Sequence, residues 1–264
     1  MLTVALEIAS EATGLMCAGF RAGVAVHKKD AIDLLTEYDL RVEDHIRRRL
    51  RAAFPEHAIV GEEGERQPLD GRPVWYVDPI DGTTNYAHGH PFFAVSIALW
   101  DNGEGRLGVV SAPALGVTWA AERGGGATRN GRPCRVSERA ELSDALCATG
   151  FPYDRWTSDE DNLRELAAFL KRVRGVRRCG SAAIDLCLVA DGTYDLYWEQ
   201  KLNPWDLCAG AVIVEAAGGQ LSGYAGERAD PRSGRLVASN GLLHEAALEV
   251  LAATRRPVST LGDA

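Results

Sequence analysis

Two amphipathic segments at the N-terminus, short apolar runs between Val74 and Thr128, and a strand–helix rhythm after Val136 predict a mixed fold. Helices come first, then an antiparallel meander, then an α/β half. The first helix is expected from residue 2 to about 25, where Val4, Leu6, Ile8, Ala12, Leu15 and Met16 recur at near-helical spacing. A second is expected from Glu37 to Ala53, stopped by Pro55. Between them His27-Lys28-Lys29-Asp30 has no apolar period and predicts a loop or hairpin. The meander is expected at Val74–Val77, Phe92–Leu99, Leu107–Ala112 and Val117–Ala121, with a hairpin turn at Arg129-Asn130-Gly131. The later half is expected as strands at Leu146–Thr149, Val176–Arg178 and Thr193–Glu199. They alternate with helices at Asn162–Val173, Ser181–Ala190 and Asp206–Ala217. This divides the chain at about residue 135. Residues 1–135 carry helices and the antiparallel sheet, residues 136–264 the α/β half, and the two form one catalytic unit.

A chain of 264 residues with 46% hydrophobic and 25% charged content can bury a large core. No apolar stretch approaches the roughly 18–20 uncharged residues that span a bilayer. The N-terminus, with Glu7 and Glu11 early, lacks a signal-peptide pattern, so a cytoplasmic protein without membrane attachment is expected. Six scattered cysteines without a CxxC pair suggest neither a zinc site nor a disulfide framework. A net charge of −8 argues against general nucleic-acid binding. The basic clusters at Arg47, Arg48, Arg49 and Arg51, and from Lys171 to Arg178, read as solvated faces.

The most informative string is Val77-Asp78-Pro79-Ile80-Asp81-Gly82-Thr83-Thr84-Asn85. An apolar run delivers two carboxylates to a turn; Pro79 lacks an N–H, so the strand is expected to end there. Carboxylates this close repel unless a cation binds or their pKa values rise, and hard oxygen ligands suit Mg²⁺ or Mn²⁺. Gly82 lets backbone approach a ligand, and the N–H groups of Gly82, Thr83 and Thr84 can open a helix that favours an anion. Glu62 and Glu63 follow the short apolar run Ile59-Val60, so acids again sit at a strand end. Taken alone, Gly61-Glu62-Glu63 reads as a solvated turn, Asp206 and Thr36 as helix caps, and Asp39 as a surface charge.

Asp78 to Thr84 resembles the metal-binding signature of the inositol monophosphatase family of Mg²⁺-dependent, lithium-sensitive phosphatases. Gly61-Glu62-Glu63 before it, and Trp205-Asp206, Gly210 and Glu215-Ala216-Ala217-Gly218-Gly219 after it, stand in the family's order. The resemblance runs from Asp33-Leu34-Leu35-Thr36 to about Asn240. It implies a layered αβαβα sandwich of the inositol monophosphatase and sugar-phosphatase type. It also implies phosphomonoester hydrolysis by in-line attack of metal-activated water, with two or three Mg²⁺ ions and no covalent phosphoenzyme. By the same resemblance Glu62, Asp78 and the carbonyl of Ile80 hold one ion, and Asp78, Asp81 and Asp206 hold another. Glu63 supports them. Thr83, oriented by Asp39, positions the attacking water, and Glu62 completes the catalytic set. The amides of Gly82 and Thr83 help hold phosphate, while Gly180, Ser181, Ala182, Glu199 and Asp206 face the substrate. Lys28 aligns with a loop lysine that approaches the site in relatives.

Thr84-Asn85 and Trp205-Asp206 resemble the inositol form, so myo-inositol 1-phosphate is the expected substrate of a homodimer. Histidinol phosphate or a broad range of sugar phosphates, fructose bisphosphate among them, is the enzymatic alternative. A regulatory binding protein of transcription or ribosome assembly is the alternative outside enzymes. Gly124-Gly125-Gly126 lacks a Walker lysine, His88-Gly89-His90 lacks metal-ligand helix geometry, and no Ser/His/Asp or Cys/His arrangement is recognisable.

Overall fold

A computed structural model describes residues 1–22, 26–28, 34–64 and 70–254. Asp33 lies outside the described residues. Its helices are α1 (Leu2–Gly19), α2 (Glu37–Ala53), α3 (Thr83–Ala87), α4 (Leu163–Leu170), α5 (Ala182–Ala190), α6 (Pro204–Ala216) and α7 (His244–Thr254). A short hairpin pairs β1 (Val26–Lys28) with β2 (Leu34–Thr36). One sheet runs in order through β3 (Ala58–Gly61), β4 (Val74–Asp81), β5 (Ala94–Asp101), β6 (Glu104–Ala112), β7 (Val117–Glu122), β8 (Gly126–Arg129) and β9 (Arg132–Cys134). Only its first pair, β3 with β4, is parallel. The second sheet has the order β11-β10-β12-β14-β13, built from β10 (Leu146–Thr149), β11 (Gly175–Arg177), β12 (Leu196–Gln200), β13 (Gln220–Ser222) and β14 (Arg235–Ser239).

Alternation along β4 shows how the layers assemble. Trp75 and Val77 pack with α1 and α2 on one face, while Val74 and Tyr76 pack with α5 and α6 on the other. Both faces of the strand are therefore buried, which is why it reads as an unbroken apolar run. The apolar faces of α5 and α6 also cover β10, β12 and β14, whose far side packs on α4 and α7. The order is α1/α2, seven-stranded sheet, α5/α6, five-stranded sheet, α4/α7: the αβαβα sandwich. Gly108 on β6 brings α6 close, since a Cβ there would stand 2.4 Å from the Ala209 carbonyl oxygen.

Of the boundaries that differ from the sequence expectation, three have a clear local cause or consequence. α1 ends at Gly19, and Phe20 turns to an extended conformation, its ring packing 4.7 Å from Phe93 and 5.8 Å from Tyr86. α4 is shorter than the expected 162–173 segment, and Asn162 precedes it with a φ of +66°. β4 does not end at Pro79: it continues to Asp81 through a register shift between Asp78 and Asp81. Pro79 falls inside that irregularity, where no ladder N–H is required of it.

By length and composition α1 would suit a bilayer. Its Ala5, Ile8, Ala12 and Met16 instead lie in the core, and Glu11 binds His45 and Arg49 of α2. Arg47 also departs from the solvated reading of its cluster, being buried in an ion pair with Glu43 at 2.6 Å.

Candidate metal and phosphate site

Four short segments converge at the C-terminal end of β4. The bulge turns Asp78 and Asp81 toward one space, and the N–H of Ile80 donates to Asp78 Oδ1 at 2.9 Å. Gly82 then adopts a φ of +93°, which a side chain would strain, and a Cβ there would stand 2.9 Å from the Phe92 carbonyl oxygen. α3 begins immediately after, with Thr83 in its first turn.

Asp206 comes from the N-terminus of α6. Asn203, not Asp206, caps that helix; Asp206 stands two positions after Pro204, where its Oδ2 accepts from the Asn203 N–H at 2.7 Å. The other carboxylate oxygen is left for the site. Oxygens of Asp78, Asp81 and Asp206 all lie within 4.8 Å of one another. Glu62, on the loop after β3, is near enough that its charge raises the pKa of all three.

Burial and this mutual repulsion oppose ionisation. Burial first, then the charges of Glu62, Asp81 and Asp206, push Asp78 well above the usual carboxylate range. Asp206 rises for the same reasons, burial and then Asp81. Asp81 is pushed by burial to about 6, although the Ser181 hydroxyl and the Ala183 N–H donate to its Oδ2 at 2.6 and 2.7 Å and pull the value down. Converging hard oxygens that cannot all ionise comfortably fit a bound cation, which would remove the repulsion.

Beside the acids sits a hydroxyl pair. Asp39 occupies the third position of α2, where its Oδ2 accepts from the Thr36 N–H and hydroxyl at 2.7 and 2.5 Å. Its Oδ1 lies 3.0 Å from Thr83 Oγ1, which is also 3.0 Å from the Ile80 carbonyl oxygen. The single Thr83 proton is thus shared between two acceptors.

The loop bearing Glu62 and Glu63 is held from beneath. Glu43, one turn after Asp39 on α2, accepts from the N–H groups of Glu63 and Gly64 at 2.8 and 2.7 Å, while Arg47 neutralises it. The sequence carried a signal for this, an acid and an arginine four apart on the apolar side of a helix.

A cleft of about 70 Å³ joins the acids to Gly82, Gly180, Ser181, Ala182 and Glu199. Ser181 caps α5 as well as holding Asp81, so its hydroxyl is committed to the protein. Glu199 accepts from the Tyr197 hydroxyl at 2.7 Å; burial raises its pKa to about 7, moderated by Tyr197 and Arg178. Its carboxylate fits only because residue 150 is glycine, where a Cβ would lie 2.1 Å from Oε1. A buried network fixes that wall: Asn162 donates to the Thr149 hydroxyl and the Gly150 carbonyl, and accepts from the Trp198 indole N–H. Asp185, a lone acid in the apolar run of α5, is buried with Oδ1 unpartnered, and burial followed by Glu199 and Asp81 raises its pKa well above normal.

Fold and site together define a metal-dependent phosphoric monoester hydrolase. The chain belongs to the inositol monophosphatase family, whose model matches residues 1–259. It is 41% identical over 258 residues to "Nus factor SuhB" of Pseudomonas aeruginosa, covering 95% of each chain. It is 40% identical over 227 residues to "Fructose-1,6-bisphosphatase/inositol-1-monophosphatase" of Thermotoga maritima, covering 86% of each. Among solved structures it resembles an inositol monophosphatase from Anabaena with a TM-score of 0.87 at 37% identity, covering 98% of this chain and 97% of that one.

Proposed function

We propose that the protein hydrolyses myo-inositol 1-phosphate to inositol and phosphate, using Mg²⁺ with Mn²⁺ as a substitute. The observation that carries this is the meeting of Asp78, Asp81 and Asp206 within 4.8 Å, beside the Thr83–Asp39 contact of 3.0 Å. Glu62, Asp78 and the Ile80 carbonyl would hold one ion, and Asp78, Asp81 and Asp206 a second. When bound, such ions supply charge neutralisation and Lewis acidity to the phosphoryl group.

The chain's own residues do the rest. Thr83 donates its proton to Asp39, which leaves an Oγ1 lone pair to accept from the attacking water and orient it. The same choice frees the Ile80 carbonyl from the hydroxyl. The N–H groups of Gly82 and Thr83, at the start of α3, receive phosphate oxygens. Ser181 and Ala183 hold Asp81 from the other half of the molecule, which supports the reading of both halves as one catalytic unit. Glu199 accepts from substrate hydroxyls.

A panel of inositol 1-phosphate, histidinol phosphate, fructose 1,6-bisphosphate and phosphoadenosine phosphate, run with Mg²⁺ beside an Asp81→Asn control, tests the reading. Negligible inositol 1-phosphate turnover relative to another member would reassign the substrate. Competition between Li⁺ and Mg²⁺ in the same assay tests the second ion site. The Thermotoga relative's name favours a broader sugar-phosphate range as second reading. The Pseudomonas relative's name favours a regulatory binding role, which a pull-down with transcription and ribosome-assembly components tests. We further propose a cytoplasmic homodimer, to be checked by light scattering of the purified protein.

A further inference from the structure

Two glycine turns stand back to back in the wall of the cleft. One is Gly82, which opens α3; the other is Gly180, with a φ of +85°, which leads from β11 into Ser181 and α5. A Cβ on Gly82 would lie 3.2 Å from the Gly180 carbonyl oxygen, so the two backbones pack directly. They follow strands of different sheets, and Asn85 of α3 joins them. Its Nδ2 donates to the Phe92 carbonyl at 2.7 Å and to the Cys179 carbonyl at 2.8 Å, and lies 3.3 Å from that of Gly180. All three neighbours are acceptors, which settles the orientation of the amide: turned over, its oxygen would face three others. Among the described residues Cys179 and Gly180 make no other backbone hydrogen bond.

We propose that Asn85 is a positioning residue that holds the loop facing the alcohol portion of the substrate in register with the turn that receives its phosphate. This rests on the phosphomonoesterase reading of the same site. Gly82 and Thr83 offer amides to the phosphate, whereas Gly180, Ser181 and Glu199 line the end that the alcohol enters. An ester rich in hydroxyls touches both ends at once, so its reactivity depends on their spacing, and a misplacement of about 1 Å can cost ~10²-fold in rate. An ester whose leaving group carries no hydroxyl relies on the first end alone. α3 is secured without the Asn85 side chain, by the Thr83 hydroxyl on Asp39 and by the Tyr86 hydroxyl on the Met16 carbonyl at 2.8 Å. Losing the Asn85 donors therefore releases the Cys179–Gly180 loop and leaves the phosphate turn in place.

The test compares kcat/KM for inositol 1-phosphate and p-nitrophenyl phosphate in the parent, Asn85→Ala and Asn85→Asp, each variant first shown to be folded by near-ultraviolet circular dichroism. Asn85→Asp keeps the shape but turns an oxygen on the same carbonyls. The ratio of inositol 1-phosphate to p-nitrophenyl phosphate should fall about 10–100-fold, the range for two lost hydrogen bonds, and further in Asn85→Asp than in Asn85→Ala. A ratio equal to the parent's, whether both rates fall together or neither does, overturns the proposal, because a merely structural residue moves both alike. Amide exchange gives a second measurement that needs no substrate. The Ala183 N–H, which bonds Asp81 just beyond the loop, should exchange faster in Asn85→Asp relative to the Tyr86 N–H, which bonds the Gly82 carbonyl. Relative exchange equal to the parent's overturns the tie itself. A parent that cleaves neither ester with Mg²⁺ sinks the phosphatase substrate reading instead, and exchange at Ala183 then decides the role of Asn85.

Discussion

α2 and α6 begin alike and end up differently employed. Each carries an aspartate at its third position whose Oδ2 reaches back to the N–H three residues earlier, Asp39 to Thr36 and Asp206 to Asn203, both at 2.7 Å. The reciprocal cap explains why an acid stands at each place. It does not explain the chemistry, because capping uses one oxygen and leaves the other. In Asp39 the remaining oxygen meets the Thr83 hydroxyl, a neutral donor. In Asp206 it meets Asp78 and Asp81, which share its sign. One local motif therefore yields a hydroxyl acceptor in one place and a member of an acid cluster that could hold a cation in the other, and the neighbour decides which.

Chelation is the largest test of the difference, since it should act on the Asp206 side alone. Activity should vanish when the metal is verifiably removed and return on adding Mg²⁺. Full turnover in excess EDTA would sink the ligand role. Next in size come two substitutions. Thr83→Ala should lower kcat by about 10²–10⁴, the range for a lost general-base contact, with little change in the Mg²⁺ needed for half-maximal activity. Asp206→Asn should raise that Mg²⁺ requirement, because an ionic ligand is deleted. If Mg²⁺ titrations of the two variants coincide, the assigned roles are wrong.

A smaller effect lies in the pH dependence of stability without metal. A carboxyl whose folded pKa is raised contributes stability that is complete below its unfolded value, 3.8 for Asp81, and lost as pH rises through the folded one, about 6. The gain in melting temperature from Mg²⁺ should therefore grow as pH rises from 4 through about 6. A gain that is flat across that window would break the argument. His244 gives an opposite slope in both metal states: burial between Ser239 and Ser222 lowers its pKa, so stability is present above 6.5 and lost as pH falls. Taking the difference with and without Mg²⁺ cancels it. Smallest of all, Thr36→Ala should cost about 0.5–2 kcal/mol in denaturant titrations, with the Mg²⁺ requirement unchanged.

Asp78 and Asp81 were legible around a proline at a strand end, whereas Glu62 and Asp206, which alone read as a turn and a cap, were marked as site residues by the family resemblance. Their partners were not. Glu43 and Arg47 stand four apart on the apolar side of α2, but what they hold appears only when the loop beyond β3 folds over them. Arg178 belongs to a basic cluster in sequence and is exposed like Arg177, and only folding shows that it also stands at the edge of the cleft. The continuation of β4 past Pro79 depends on a pairing irregularity with β5, which no single strand encodes. Strands as short as β13, three residues, leave no alternation to detect.

Asp39 and Glu43 lie four residues apart on α2, on one side of one rod. The first holds the Thr83 hydroxyl and the second holds the backbone at Glu63 and Gly64. Any sliding or rocking of that rod displaces the Thr83 hydroxyl and the Glu62 loop by correlated amounts, so their mutual alignment survives thermal motion that would blur two independently mounted parts. A core substitution such as Ile46→Ala, under the middle of α2, should therefore disturb both together: a local packing defect acts on the centre as a tilt of its mounting.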